Sequence, residues 1–527
     1  MSDLKPAGTI ESRWGWLRPS AKHTAFSATL LLMGSTVLSG VLGLVRTKYI
    51  ALLFGAGPVT DAYYAAFQLP DMINYFLVGG VASISLVTIL NRYRQADDEA
   101  RADRALSVVL NGMLVVLGIG ILLGEIFAPV YTRIAFHNFD PERAALCTSL
   151  TRLLLPAQLF FFAGGVLGSK LLVRKIFLYQ AVTPLLYNIG IIAGAMFLSR
   201  RLGIYSLAVG VLAGAFLGSL LLNGLGAYRN GLRYRAIFNL RDPAFMEWLR
   251  LSLPLMIGVS LTMADKWILA YFASGDTGGI SRMNVAKTLF NAPMGILGQA
   301  AGAASLPFFA ALFSQGRLAE FGAAVNRAAS RVIAVSLLAT GWMLALAGPI
   351  VDLIRGGSFN AKDAAETASY FAIFAVSIAL WAAQGFYSRA FYAAGNTRVP
   401  AITGWIVTLI SIPIYSLLFH RIGMIGLAIA SDLGILILTI TLAVQLSRRS
   451  LVPLAGIETG EMGKALAAAI AGFGGAAACV RLLRVPHGHG GDVLMIAAAT
   501  LLWGGLCYGV LRATGSRLPN QILRRTT

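Results

Sequence analysis

Arg46 lies within Leu38-Ser39-Gly40-Val41-Leu42-Gly43-Leu44-Val45-Arg46-Thr47-Lys48, inside a long apolar run. A guanidinium surrounded by hydrocarbon is expensive unless it faces a polar cavity or a counter-charge, so it points to a pathway or an anionic ligand. Lys48, Asp61, Arg152, Asp265, Lys266, Lys287 and Asp432 stand in or beside similar runs. Most fall on the first, second, seventh and eighth runs, and together they predict a central cavity of positive character. Plainer roles stand beside that one. Asp61 with Thr60 can cap the helix that starts after Gly55-Ala56-Gly57-Pro58, while Lys48 and Arg152 can snorkel to an interface.

Two carboxylates suggest a second chemistry. Asp265 is next to Lys266, but adjacent residues on a helix do not face each other, so the two are not a simple local pair. Asp432 lies well inside a run, after Ser431. With Ser431 and the hydroxyls of Thr408 and Ser411, the two carboxylates offer oxygen ligands for Na+ or a buried carboxyl for H+. Separate structural pairing is the alternative. No phosphate-cradling Gly-rich Lys motif, nucleophile elbow or metal-ligand cluster occurs. Cys147, Cys479 and Cys507 are too widely spaced for a disulfide framework or a metal site. An enzyme and an ATP-driven pump are therefore disfavoured. Transport driven by an ion gradient or by membrane potential is favoured, with Na+ or H+ as coupling ion and no other cofactor.

These residues must be positioned by membrane helices. The 527-residue chain is 57% hydrophobic and 13% charged, with a mean hydropathy of +0.72, far from the composition of soluble domains. Apolar runs long enough to cross a hydrocarbon core recur from Thr24 to Val510 and number about fourteen. They cover 24–53, 61–90, 105–130, 145–173, 178–199, 203–227, 246–273, 283–314, 324–354, 366–394, 399–419, 423–446, 462–483 and 491–511. The fold class is an all-α polytopic membrane protein. Pro70, Pro156, Pro254 and Pro293 inside runs predict bent or broken helices. The net charge of +20 is unevenly spread. Arg229, Arg233, Arg235 and Arg241, together with Arg512, Arg517, Arg524 and Arg525, put both termini in the cytoplasm by the positive-inside rule. Attraction to anionic membrane lipids follows from the same charges, whereas nucleic-acid binding is not expected. Residues 1–23 are polar and basic and read as a cytoplasmic segment rather than a cleaved signal.

Two segments about 220 residues apart resemble each other, as in a duplication. Gly168-Ser169-Lys170-Leu171-Leu172-Val173-Arg174-Lys175, followed by Thr183-Pro184, echoes Ser388-Arg389-Ala390-Phe391-Tyr392-Ala393-Ala394-Gly395-Asn396-Thr397-Arg398, followed by Val399-Pro400. The expected organisation is two pseudo-symmetric six-helix lobes, 24–228 and 246–447, joined by a basic linker at 229–245. A second linker, 448–461, leads to two further helices in 462–511 and a basic tail, 512–527. Parallel repeats of this kind form bundles that rock about a central site.

The motifs Val41-Leu42-Gly43-Leu44-Val45-Arg46, Leu53-Phe54-Gly55-Ala56-Gly57, Thr60-Asp61-Ala62-Tyr63-Tyr64 and Leu69-Pro70 resemble the opening signature of the MurJ (MviN) family of lipid II flippases. Pro184-Leu185-Leu186-Tyr187-Asn188 and Gly356-Gly357-Ser358-Phe359 are similar to further family motifs, as is Phe391-Tyr392-Ala393-Ala394-Gly395-Asn396-Thr397-Arg398-Val399-Pro400. The resemblance implies the multidrug/oligosaccharidyl-lipid/polysaccharide exporter superfamily. It also implies a fourteen-helix, V-shaped transporter of the bacterial cytoplasmic membrane, with the last two helices forming a groove for the lipid tail. Its substrate would be an undecaprenyl-pyrophosphate-linked peptidoglycan precursor, and cell-wall synthesis proteins are candidate partners.

Arg46 and Asp61 match family cavity positions, but several expected charges are replaced: by Gly40 before the first motif, by Asn74, Tyr75 and Gly79 late in the second run, and by Lys287-Thr288 in the eighth. Leu269 stands where the seventh run usually carries an acid or amide. Arg46, Lys48, Asp61, Asn74, Lys266 and Lys287 are the expected substrate-cavity residues. A carrier of another polyprenyl-pyrophosphate oligosaccharide, a drug or cation antiporter and a scaffold that has lost transport remain the alternatives.

Overall fold

The computed structural model describes residues 25–75, 81–256, 261–295, 297, 301–485 and 488–523. The expected segment 1–23 and Gly79 lie outside them. Every extended element among the described residues is a helix. In chain order these are α1 (Ala25–Phe54), α2 (Pro58–Ala66), α3 (Gln68–Ile73), α4 (Val81–Gln95), α5 (Glu99–Ala135), α6 (Pro141–Leu154), α7 (Ala157–Val173) and α8 (Leu178–Leu202). Next come α9 (Tyr205–Gly214), continued by a π-helical turn and α10 (Leu222–Arg229), then α11 (Pro243–Met256), α12 (Leu261–Ala273), α13 (Gly279–Met294) and α14 (Ala301–Ser314). The remainder are α15 (Leu318–Ala345), α16 (Ala347–Asp352), α17 (Ala361–Val376), α18 (Ile378–Ala393), α19 (Arg398–Arg448), α20 (Thr459–Leu482), α21 (His489–Ala513) and α22 (Leu518–Leu523).

Nine helices among the described residues are long and apolar enough to cross a membrane, or ten if α17 and α18 count as one span bent by 43°. The expected fourteen are thus not reached as separate helices, for two reasons. First, the runs 399–419 and 423–446 form the single 51-residue α19, broken only at Ile422 and Gly423, where Gly423 takes φ +62°, a conformation open to glycine at little steric cost. Second, the runs 61–90, 246–273 and 283–314 pass through residues outside the described ones. Ile119, Leu122, Ile126 and Ile134 on α5, and Ile402, Ile406 and Leu409 on α19, are exposed. That is the dress of helices whose solvent is lipid.

The helices from α1 to α10 pack mainly among themselves, as do those from α12 to α19, and α1 and α2 touch α13 between the groups. Small residues permit close approach within each group: a Cβ added at Gly190 on α8 would stand 2.7 Å from the Gly214 backbone of α9. α11 sits on α4 and α5 of the first bundle, burying Phe245 and Trp248 there. α20 and α21 pair with each other and rest on α15 and α16, and Trp342 donates to Thr500 at 2.8 Å.

Contacts sort the connecting segments onto two faces. On the proximal face, Lys170 meets Asp103 and Glu99. The linker after α10 is pinned along α5 there, with Arg233 N donating to Asp103 at 3.0 Å and Asn111 donating to the carbonyls of Arg235 and Ile237. The Ser516 hydroxyl donates to Glu461 at 2.7 Å, which ties the segment after α21 to the start of α20. On the distal face, Ser358 N donates to the Leu52 carbonyl at 3.0 Å, and Arg143 reaches Thr277 at 3.3 Å.

Candidate functional site

Ser39 and Arg46 are seven residues apart on α1, hence on one face of the helix, and both meet Asn188 of α8. Arg46 Nη1 donates to Asn188 Oδ1 at 3.1 Å. The amide nitrogen donates onward to Ser39 Oγ and to the Pro184 carbonyl, each at 3.1 Å. The partner of Arg46 is therefore a neutral amide, which orients the guanidinium, and no carboxylate pairs with it among the described residues. The hydroxyls of Tyr63, Tyr64 and Tyr187 lie within its electrostatic reach. Lys48 is half-buried two residues on, and that offset of about 200° turns it away from the Arg46 face.

Beside this constellation lies a cavity of about 280 Å³, lined by Asp71, Asn74, Gln158 and Tyr187 among others. Asn74 Nδ2 donates to Gln158 Oε1 at 2.8 Å. Asp71 on α3 pairs with Lys266 on α12, across the gap between bundles. Two cations, Arg46 and Lys266, thus stand with one carboxylate, leaving this region with one surplus positive charge. The sequence signals for Asp71, Gln158 and Asn188 were present but weaker. Asp71 directly follows Pro70, Gln158 lies just after the Pro156 break, and Asn188 ends the Pro184–Asn188 motif.

Lys287 is elsewhere. From α13 it inserts into the second bundle, where Nζ lies 2.9 Å from Asp265 Oδ2 and donates to Ser431 Oγ at 2.9 Å. It also stands 4.0 Å from the Phe374 ring centroid and 5.4 Å from that of Trp381. The Tyr415 hydroxyl donates to Asp265, and Asp432 lies within electrostatic reach of both Lys287 and Asp265. Asp432 Oδ1 is buried without a hydrogen-bond partner among the described residues. The structure brings Asp265, Ser431 and Asp432 together and leaves Thr408 and Ser411 out. Those two hydroxyls donate to Gly404 and Val407 of their own helix, each at 2.7 Å.

Asp61 is fully buried on the distal side. The helix start at Pro58 is served by Thr60, whose Oγ1 accepts from Gly57 N at 3.0 Å. Asp61 instead caps a helix of the other bundle. Its carboxylate accepts from Gly278 N at 2.5 Å, Ser281 N at 2.9 Å and Ser281 Oγ at 2.8 Å, at the N-terminus of α13. A carboxylate there meets both unsatisfied amides and the positive end of the helix dipole. Next to it, Arg282 is buried between Asp276 and Asp363, 3.2 Å from each, tying α13 to α17. Nothing in local spacing signals the contact between Asp61 and Ser281, which are 220 residues apart.

A family model described as lipid II flippase MurJ matches residues 50–497. A lipid II flippase MurJ of Burkholderia cenocepacia is 28% identical over 447 residues, 81% of this chain and 84% of that protein. A probable lipid II flippase MurJ of Thermotoga maritima is 24% identical over 412 residues, 78% of this chain and 83% of the relative. Among solved structures, a lipid II flippase MurJ in an inward closed conformation superposes with a TM-score of 0.76 at 21% identity, over 92% of this chain and 99% of that one. An inward-facing multidrug transporter of the MATE family superposes with a TM-score of 0.67 at 15% identity, over 80% and 98%.

Proposed function

The chain belongs to the lipid II flippase MurJ family, and from that premise we propose that it carries lipid II from the inner to the outer leaflet of the bacterial cytoplasmic membrane by alternating access. The observation that carries the reading is the guanidinium of Arg46, held by the neutral amide of Asn188 and without a carboxylate partner among the described residues, beside a cavity of the first bundle that Asp71, Asn74 and Gln158 line. A pyrophosphate is dianionic or more and takes charge-assisted bonds from several donors. Arg46 supplies the surplus charge, Asn74 supplies a neutral donor, and Lys266 becomes available when it exchanges Asp71 for substrate. Lys48 and Lys287 stand outside this site.

The proximal face is cytoplasmic in this reading, supported by Arg92, Arg94, Arg101, Arg104 and the linker arginines upon it. The same basic surface is where cell-wall synthesis proteins would dock. The two bundles are the rocking bodies, Asp61 with Ser281 is the distal latch, and the exposed apolar sides of α20 and α21 take the polyprenyl tail. The coupling ion is H+. The ammonium of Lys287 already fills the space between Asp265 and Ser431 that a metal ion would need, and the partnerless oxygen of Asp432 takes the proton.

Replacement of family arginines by Asn74 and Tyr75, with Asn74 held to Gln158, favours as second reading another polyprenyl-pyrophosphate oligosaccharide. The test is growth of cells depleted of their own lipid II flippase. Support by this chain is the expected result. Failure by a chain that reaches the membrane, together with binding of a different lipid-linked glycan, transfers the assignment to the second reading.

A further inference from the structure

A larger cavity, of about 880 Å³, opens between the bundles toward the distal face. One wall is Tyr131, His137 and Asn138, and the other is Trp267, Tyr271 and Phe419. None of the described residues lining it is a carboxylate, an ammonium or a guanidinium. That composition selects a ligand. An ion would want a counter-charge, and an acyl chain has no use for two imidazoles and two amides. A sugar ring has an apolar C–H face and a rim of hydroxyls, which match flat aromatic faces edged by polar groups. His420 lies close enough to the Ser416 carbonyl, 2.7 Å, that its Nδ1 must donate there, which leaves Nε2 for the cavity.

The two cavities share a wall. On α3, Asp71 with the following Asn74 faces the anion cavity, and Gln68 and Met72 face the aromatic one. On α12, Lys266 pairs with Asp71 while its neighbour Trp267 lines the aromatic cavity. A sugar bonded directly to a pyrophosphate must lie next to the anion site.

We propose that this aromatic cavity is a glycan subsite, in which Trp267 and Tyr271 stack on the sugar rings of the substrate and His137, Asn138 and His420 bind their hydroxyls. The assignment rests on the Arg46 cavity taking the pyrophosphate. Its test is binding to the full chain in nanodiscs of two probes, the disaccharide-bearing lipid II and undecaprenyl pyrophosphate without sugar. The Tyr271→Ala/His420→Ala variant is expected to raise the Kd of the sugar-bearing lipid about tenfold and to leave the sugar-free lipid within about twofold. Retained binding of the sugar-free lipid by that same variant guards against loss through misfolding. Equal loss for both lipids, or no loss for either, overturns the glycan subsite. Arg46→Ala is expected to weaken both probes. If it weakens neither, the pyrophosphate assignment fails, and the comparison between sugar-bearing and sugar-free lipid still decides the subsite.

Discussion

Lys287 and Asp265 form a 2.9 Å ion pair inside the second bundle, walled by Phe374 and Trp381 and extended by Ser431. Removing one partner of a buried pair strands the other charge, which costs about 3–5 kcal/mol. Lys287→Met should lower the thermal unfolding midpoint sharply, and Lys287→Met/Asp265→Asn should recover part of the loss. A double variant no more stable than the single one would show that the ammonium is not there to neutralise Asp265.

Arg46→Ala should abolish growth support in cells depleted of their own lipid II flippase, with the protein still in the membrane. Arg46→Lys should retain partial activity, because an ammonium keeps the charge but loses the planar fork that meets an amide and a phosphate together. Normal growth with Arg46→Ala would remove the guanidinium from the transport site.

Asp61→Asn keeps the shape of the latch but weakens three hydrogen bonds that a carboxylate strengthens. Bonds to a charged group contribute about 1.5–3 kcal/mol each, so the closed distal face should lose population. Spin labels at exposed Glu142 and Lys362, in a background lacking the three native cysteines, should show a longer distance distribution. An unchanged distribution would mean that Arg143 with Thr277, and Ser358 with Leu52, suffice to hold the face shut.

Asp432→Asn should make transport into vesicles insensitive to an imposed pH gradient, and replacing Na+ by K+ should leave the unchanged chain as active as before. Sodium-dependent transport would overturn the proton assignment.

Gly190→Ala should destabilise the first bundle by about 1–3 kcal/mol, since the added methyl meets backbone, which cannot swing aside as a side chain can. Thermal unfolding checks this, with Gly504→Ala, where a Cβ meets nothing within 4 Å, as the neutral control.

The fold was legible wherever one physical signal dominated. Apolar length alone announces α5, α8, α15, α20 and α21, and Gly423 marks the only break in α19. Arg46 was legible because a cation in hydrocarbon is expensive whatever surrounds it. What surrounds each charge was not legible, because spacing along the chain records only same-helix neighbours. Asp61 next to Thr60 looks like a cap for its own helix, and only the folded chain brings it to Ser281. Thr408 and Ser411 look like cation ligands, yet a hydroxyl on a helix can satisfy itself on its own preceding turn, and both do. Lys287 looks like a cavity cation, but α13 turns it into the bundle.

One helix carries both the latch and the charge cluster. Ser281 and Lys287 are six residues apart on α13, about 9 Å along a rod that has no soft joint between them. If protonation of the cluster changes how tightly α13 is held by Asp61, thermodynamic linkage requires the converse by the same factor. Cutting the latch must then alter the proton affinity of a site in another bundle's interior. The helix would act as a balance beam, on which proton and latch can be weighed against each other from either end.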